Sequence, residues 1–249
     1  GYWDSENYQT LNSTIHLFDY ELNVLLWSYN FEEGSINDLA ISNDGRTIIA
    51  TNGNELMVWD SNSSIPRWSY STSDGTSTPS GIMISAAISS NGNNFTSSSD
   101  DGEIFFFHKN SSTPIWHSNQ INTVTGRAPE LDITTDGEHI IVNSQNSLYL
   151  FENVDGNIIW NYHDESSAAA VKFSGDGTTI IADFSDNFKI FEITSPIPIN
   201  EIQKEGGQPW PGAISLSFNG EYFAKCDWNS GKISYYNHTS ELWSYDIND

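Results

Sequence analysis

Five phrases of nearly one pattern recur along the chain: LAISNDGRTIIA (39–50), AAISSNGNNFTS (86–97), LDITTDGEHIIV (131–142), VKFSGDGTTIIA (171–182) and ISLSFNGEYFAK (214–225). Each sets Asp-Gly or Asn-Gly between two strand-like runs, the strongest short-range hairpin signal. The turn glycines are Gly45, Gly92, Gly137, Gly177 and Gly220. Their spacing, about 40–47 residues, is that of a repeat made of four short strands. Self-similarity at such a period constrains the fold more than any composition does.

Counted back from each glycine, the fourth residue is Ile41, Ile88, Ile133, Phe173 or Leu216, and the sixth is Leu39, Ala86, Leu131, Val171 or Ile214. A period of two puts these side chains on one face of a strand. The intervening positions are mostly small or polar: Ala40, Ala87, Asp132, Lys172 and Ser215. That pattern suits an inner strand near a crowded axis. Asp132 and Lys172 hold the same position in consecutive repeats, so they are expected to meet across neighbouring inner strands, where an unpaired Lys would be costly.

The rest of each repeat reads as three more strands. Strand b follows the turn (TIIAT, HIIVN, TIIAD). Strand c is ELMVWD, EIFFFH, LYLFE, FKIFE or KISYYN, and strand d carries Trp27, Trp68, Trp116, Trp160 or Trp243. In the repeat containing PIPINE (196–201), Ile199 stands where Trp is expected. A Trp at this period is expected to bury its ring against the neighbouring repeat. The predicted fold is all-β: a β-propeller of about six four-stranded blades, with blades near 1–31, 32–72, 73–121, 122–163, 164–204 and 205–249. Aligned on strand c, residues 6–11 fall on strand b of the first blade, which therefore lacks its inner strand. An open edge there would invite pairing, so we expect the natural chain to continue upstream; the alternative is a ring with a three-stranded first blade.

SSSDDGEIFFFHK and TNGNELMVWD resemble the c-strand signature of WD-repeat propellers. FENVDGNIIWNY resembles the tryptophan-docking repeat of quinoprotein-like propellers. The resemblance covers essentially the whole chain and implies a fold rather than a function. The Gly-His pair of typical WD repeats is absent, which implies that their buried His-Asp network is missing.

The net charge of -24 comes from 33 acidic residues against only 9 basic ones, a deficit of base. Such a field opposes phosphate backbones and anionic membranes, so nucleic acid is not an expected partner. It suits a saline, extracellular or cell-surface setting; the alternative is an acidic surface that recruits a basic partner. No apolar run approaches the roughly 18 residues of a membrane-spanning helix. Cys226 is the sole cysteine, so no internal disulfide forms. Sequons at Asn12, Asn62, Asn94, Asn110 and Asn237 permit glycosylation in a secreted protein.

Candidate chemistry is sparse. The six histidines show no paired ligand spacing, and the Asp/Asn-Gly turns lack the acidic density of a calcium loop. No nucleophile elbow or phosphate loop occurs. Arg46, Arg67 and Arg127 are the only arginines, too few to hold a quinone tricarboxylate, so no cofactor is expected. Asp164 and Glu165, in a d-to-a connection, are the carboxylates a hydrolase would use at a propeller funnel. Trp210, between two prolines in GGQPWPGA (206–213), and Trp228, in CDWNSG (226–231), are candidate contacts for a protein partner. The sequence thus predicts a non-enzymatic scaffold that binds another protein. A hydrolase, and a structural subunit pairing through the first blade, are the alternatives.

Overall fold

A computed structural model describes residues 13–32, 34–72, 81–121, 129–204, 213–227 and 231–247. Its described residues form strands and turns, with no helix. The first sheet pairs β1 (Thr14–Asp19) with β2 (Val24–Asn30). The second holds β3 (Ile36–Ile41), β4 (Thr47–Asn52), β5 (Glu55–Asp60) and β6 (Trp68–Ser71). The third holds β7 (Met83–Ile88), β8 (Asn94–Ser99), β9 (Ile104–His108) and β10 (Trp116–Ser118). The fourth holds β11 (Glu130–Ile133), β12 (His139–Ser144), β13 (Ser147–Glu152) and β14 (Ile158–His163). The fifth holds β15 (Ala168–Phe173), β16 (Thr179–Phe184), β17 (Asn187–Glu192) and β18 (Asn200–Gln203). The sixth holds β19 (Ile214–Leu216), β20 (Tyr222–Asp227), β21 (Lys232–Asn237) and β22 (Glu241–Asp246). Every sheet is an antiparallel meander in chain order. The described residues therefore form an all-β, propeller-like array of six blades.

Adjacent blades are held together by cores that cross from one to the next. Leu150 and Trp160 of the fourth blade pack with Val171, Phe173 and Phe191 of the fifth. Ile104 and Phe106 of the third pack with Leu131, Ile133 and Phe151 of the fourth. The predicted inner-strand face is thus the one turned to the preceding blade. Leu131 and Val171 are buried there, whereas Leu39 and Ile41 of β3 are each 51% exposed. The described strands of the first blade, β1 and β2, cover Ile48, Ala50 and Trp59 of the second blade. The predicted strand b at 6–11 falls outside the described residues.

The Asp/Asn-Gly turns have a second reason for their glycine beyond the positive φ of 66° at Gly92. A Cβ on Gly92 would lie 2.7 Å from Thr47 Oγ1 and 2.9 Å from Ser42 Cβ of the preceding blade. Gly220 meets Thr179 in the same way, while Gly45, at the start of the series, faces open space. Each turn is locked from within by a Ser or Thr. Ser42 Oγ donates to Asp44 Oδ1 at 2.6 Å and accepts from Thr47 N at 3.0 Å. Ser89, Thr134, Ser174 and Ser217 repeat both bonds.

Candidate functional site

The strand-d tryptophans couple each blade to the next. Trp27 Nε1 donates to Ser61 O at 2.8 Å, Trp68 to Lys109 O at 2.9 Å, Trp116 to Asn153 O at 2.7 Å and Trp160 to Ile193 O at 2.8 Å. In every case the acceptor is the residue after strand c of the following blade. The register corrects the expectation for the fifth blade. Asn200, not Ile199, lies opposite Ile190, as Trp160 lies opposite Leu150. Ile199 N donates to Ile190 O, the bond that Arg67 N and Ile115 N make just before their own tryptophans. Asn200 Nδ2 then donates to His238 O, so a short amide replaces the indole N–H in the same bond.

The sixth blade breaks the series. Trp243 is 53% exposed, all of β22 is exposed, and Trp243 Nε1 has no acceptor among the described residues. Among the described residues its ring stacks within its own blade, on Tyr235 at 5.6 Å, and Tyr235 stacks on Tyr222 at 5.7 Å. The result is a flat, solvent-facing aromatic ladder across three strands.

Asp164 and Glu165 border an open cleft of about 800 Å³ beside Tyr162, Ser185 and Asn187. Asp164 is the better held of the two. It accepts from Ser166 N at 2.8 Å, Ser166 Oγ at 2.9 Å and Tyr162 OH at 2.9 Å, and its Oδ2 lies 3.1 Å from Lys189 Nζ. Burial raises its pKa, but these donors outweigh burial and bring it down to about 2. A carboxylate that acidic is a poor proton shuttle near neutrality. Lys189 also bonds Glu201 at 2.8 Å. Trp210 and Trp228 lie outside the described residues.

The inner strands carry a second acidic group. Lys172 Nζ lies 3.7 Å from Asp132 Oδ1, the pairing predicted from their shared position. Asp132 Oδ2 also accepts from Phe173 N at 2.9 Å, and Asp38 Oδ2 accepts from Ala86 N at 2.8 Å. Both carboxylates therefore fasten one inner strand to the next. Burial raises the pKa of Asp132 against the pull of Lys172. Glu130 is pushed up to about 7 by burial, opposed by Lys172 and reinforced by the charges of Asp38 and Asp183.

A pocket of about 340 Å³ between the fifth and sixth blades takes in Lys204, Lys225, Lys232, Phe188, Tyr236 and Glu241. Beneath it Asp183 is fully buried. Lys204 Nζ bonds Asp183 Oδ1 and Phe184 O, and Lys225 Nζ lies 2.6 Å from Asp183 Oδ2, an ion contact rather than an aligned hydrogen bond. Burial lowers the pKa of Lys204, with Lys225 adding to the effect against Asp183. Lys232 pairs with Glu241 at 3.2 Å. Sequence reading passed over this group. Its signal was scarcity, because three of only nine basic residues converge here.

Among the described residues, no group of three or more His, Cys, Asp and Glu is placed to hold a metal ion, and no helix is long and apolar enough to cross a membrane. The chain matches no protein-family model and no curated protein.

Proposed function

We propose that the chain is a non-enzymatic scaffold that binds another polypeptide through the exposed face of its last blade, in an extracellular or cell-surface setting. The observation that carries this reading is the ladder Tyr222–Tyr235–Trp243, with Tyr245 exposed beside it. Large apolar faces on soluble proteins mark contact surfaces, and rigid aromatics are the usual anchors. The scarcity of basic residues fits a saline exterior.

The test places a photo-reactive amino acid at Trp243 of the full chain and, as a control, at Ile65, an exposed residue of a hairpin turn. Irradiation in the native extract is expected to yield covalent adducts to polypeptide from position 243 well above those from 65. Equal yields would overturn the reading.

A hydrolase is the second reading, favoured by one observation: Glu130, whose pKa burial pushes up to about 7, shares a face of β11 with Asp132, and a carboxyl in that range suits a general acid. Against it, Asp132 and Asp38 are already engaged with backbone N–H groups. Turnover of a glycoside panel that Glu130→Gln abolishes would replace the scaffold reading with this one.

A further inference from the structure

The first and the sixth sheet carry complementary halves of one junction. Within the array all five junctions share the first of two parts, and the four junctions before the fifth blade's β18 also have the second. A strand-d donor reaches the carbonyl just after strand c of the next blade. A Trp or Tyr ring of strand d packs on the penultimate residue of that strand c. Trp68 meets Phe107 at 5.7 Å, Trp116 meets Phe151 at 6.1 Å and Trp160 meets Phe191 at 6.1 Å. Tyr29 meets Trp59 at 5.2 Å, and Tyr70 meets Phe107 and Tyr162 meets Phe191 at 5.1 Å each. The sixth blade has the donor half in full: Trp243, its N–H without an acceptor among the described residues, and Tyr245 two residues on, where Tyr29, Tyr70 and Tyr162 stand in their blades.

The acceptor half lies on the first sheet. Phe18 is the penultimate residue of β1, the position of Phe107, Phe151 and Phe191, and it is 56% exposed. Tyr20 is the residue directly after β1, so its carbonyl corresponds to those of Ser61, Lys109, Asn153, Ile193 and His238. That carbonyl has no donor among the described residues. The two halves are apart in this structure, since β22 and Phe18 both face solvent.

We propose that the last blade docks head to tail on the first sheet of a second copy of the chain, with Trp243 Nε1 donating to Tyr20 O and the Trp243 and Tyr245 rings closing over Phe18. This rests on the scaffold reading above and names its partner. A donor bond that recurs five times inside the chain, with the ring contact beside it at four of those junctions, supplies the geometry for one more between chains. Because the two surfaces differ, the contact is heterologous and propagates, giving chains of copies rather than a closed pair. The net charge of -24 resists it at low ionic strength, so added salt strengthens the association.

The test uses sedimentation velocity on the full chain, with Phe18→Asp and Trp243→Asp variants. Both residues are more than half exposed, so either change leaves the fold intact, which circular dichroism checks. The wild type is expected to grow in mass with concentration, more so at about 0.5 M than at about 0.05 M salt. Each variant alone stays monomeric, with association weakened about thirty-fold or more, as for loss of a hot-spot side chain. An equimolar mixture of the two variants forms a dimer and nothing larger, because each contributes one intact half. The inference is overturned by a wild type that remains monomeric at every concentration and salt, whether open or closed on itself. It is equally overturned by variants that still assemble, or by a folded mixture that does not pair. A monomeric wild type whose position 243 still cross-links to a different polypeptide overturns the second copy and leaves the scaffold reading standing.

Discussion

Trp160 and Trp243 occupy one position in two blades and differ in what lies beyond them. Trp160 is 8% exposed, stacked at 6.1 Å on Phe191 and bonded to Ile193 O at 2.8 Å. Trp243 is 53% exposed and, among the described residues, stacks on Tyr235 alone. A fully buried Trp removes about 200 Å² from water, worth about 5 kcal/mol at about 25 cal/mol per Å². Half exposure roughly halves that figure. Trp160→Ala should therefore cost about 3–5 kcal/mol, including the cavity left between blades, and Trp243→Ala about 1–2 kcal/mol. The gap of about 2–3 kcal/mol is the worth of a following blade. Urea titrations followed by circular dichroism, at low micromolar protein and low salt so that copies stay apart, measure it directly. Equal costs, within about 1 kcal/mol, would refute the idea that these residues act by joining one blade to the next.

Glu130→Gln should stabilise the protein at alkaline pH. The carboxyl sits at about 7 in the fold against 4.5 unfolded, so stability is lost as pH rises from 4.5 through 7, by up to about 3 kcal/mol. Parallel stability profiles between about pH 4 and pH 8 should show that loss in the wild type and not in the variant. Asp164 has the opposite sign, because a folded pKa of about 2 lies below the ordinary 3.8. Asp164→Asn should cost about 2 kcal/mol at neutral pH, and the cost should vanish as pH falls toward about 2, measured as urea midpoints. Asp183→Asn strands two buried lysines and should cost about 3–5 kcal/mol; replacing all three together, Asp183→Leu with Lys204→Met and Lys225→Met, should recover most of it in thermal melts. Asn200→Ala removes the amide that bridges to His238 O and should cost about 1 kcal/mol by the same melts.

The architecture was legible in one dimension because its rules are local. An Asn-Gly or Asp-Gly pair specifies a hairpin, here through the left-handed φ of its glycine, and alternation specifies a face through the pleat. Both act within one strand pair, so strand order, repeat number and the Asp132–Lys172 contact followed from spacing alone. The Ser or Thr three places before each turn glycine was visible too, and only its double hydrogen bond needed coordinates. The misplaced Ile199 shows where spacing fails. Without a Trp to anchor it, strand d could be shifted by one residue on the page, and only the ladder opposite Ile190 identified Asn200 as the donor.

What the chain alone determined, then, is the repeated blade: turn, alternation and the aromatic on its outer strand. Tertiary structure decided everything that depends on which blade stands next to which. It buried Asp183 under Lys204 and Lys225, residues 21 and 42 positions away in sequence, and it raised Glu130 while lowering Asp164. It also left Trp243 facing water while its counterpart Trp160 is covered. The physical reason is that desolvation and charge pairing are set by neighbours across a junction, and a repeat reads the same in sequence whether or not its neighbour is there.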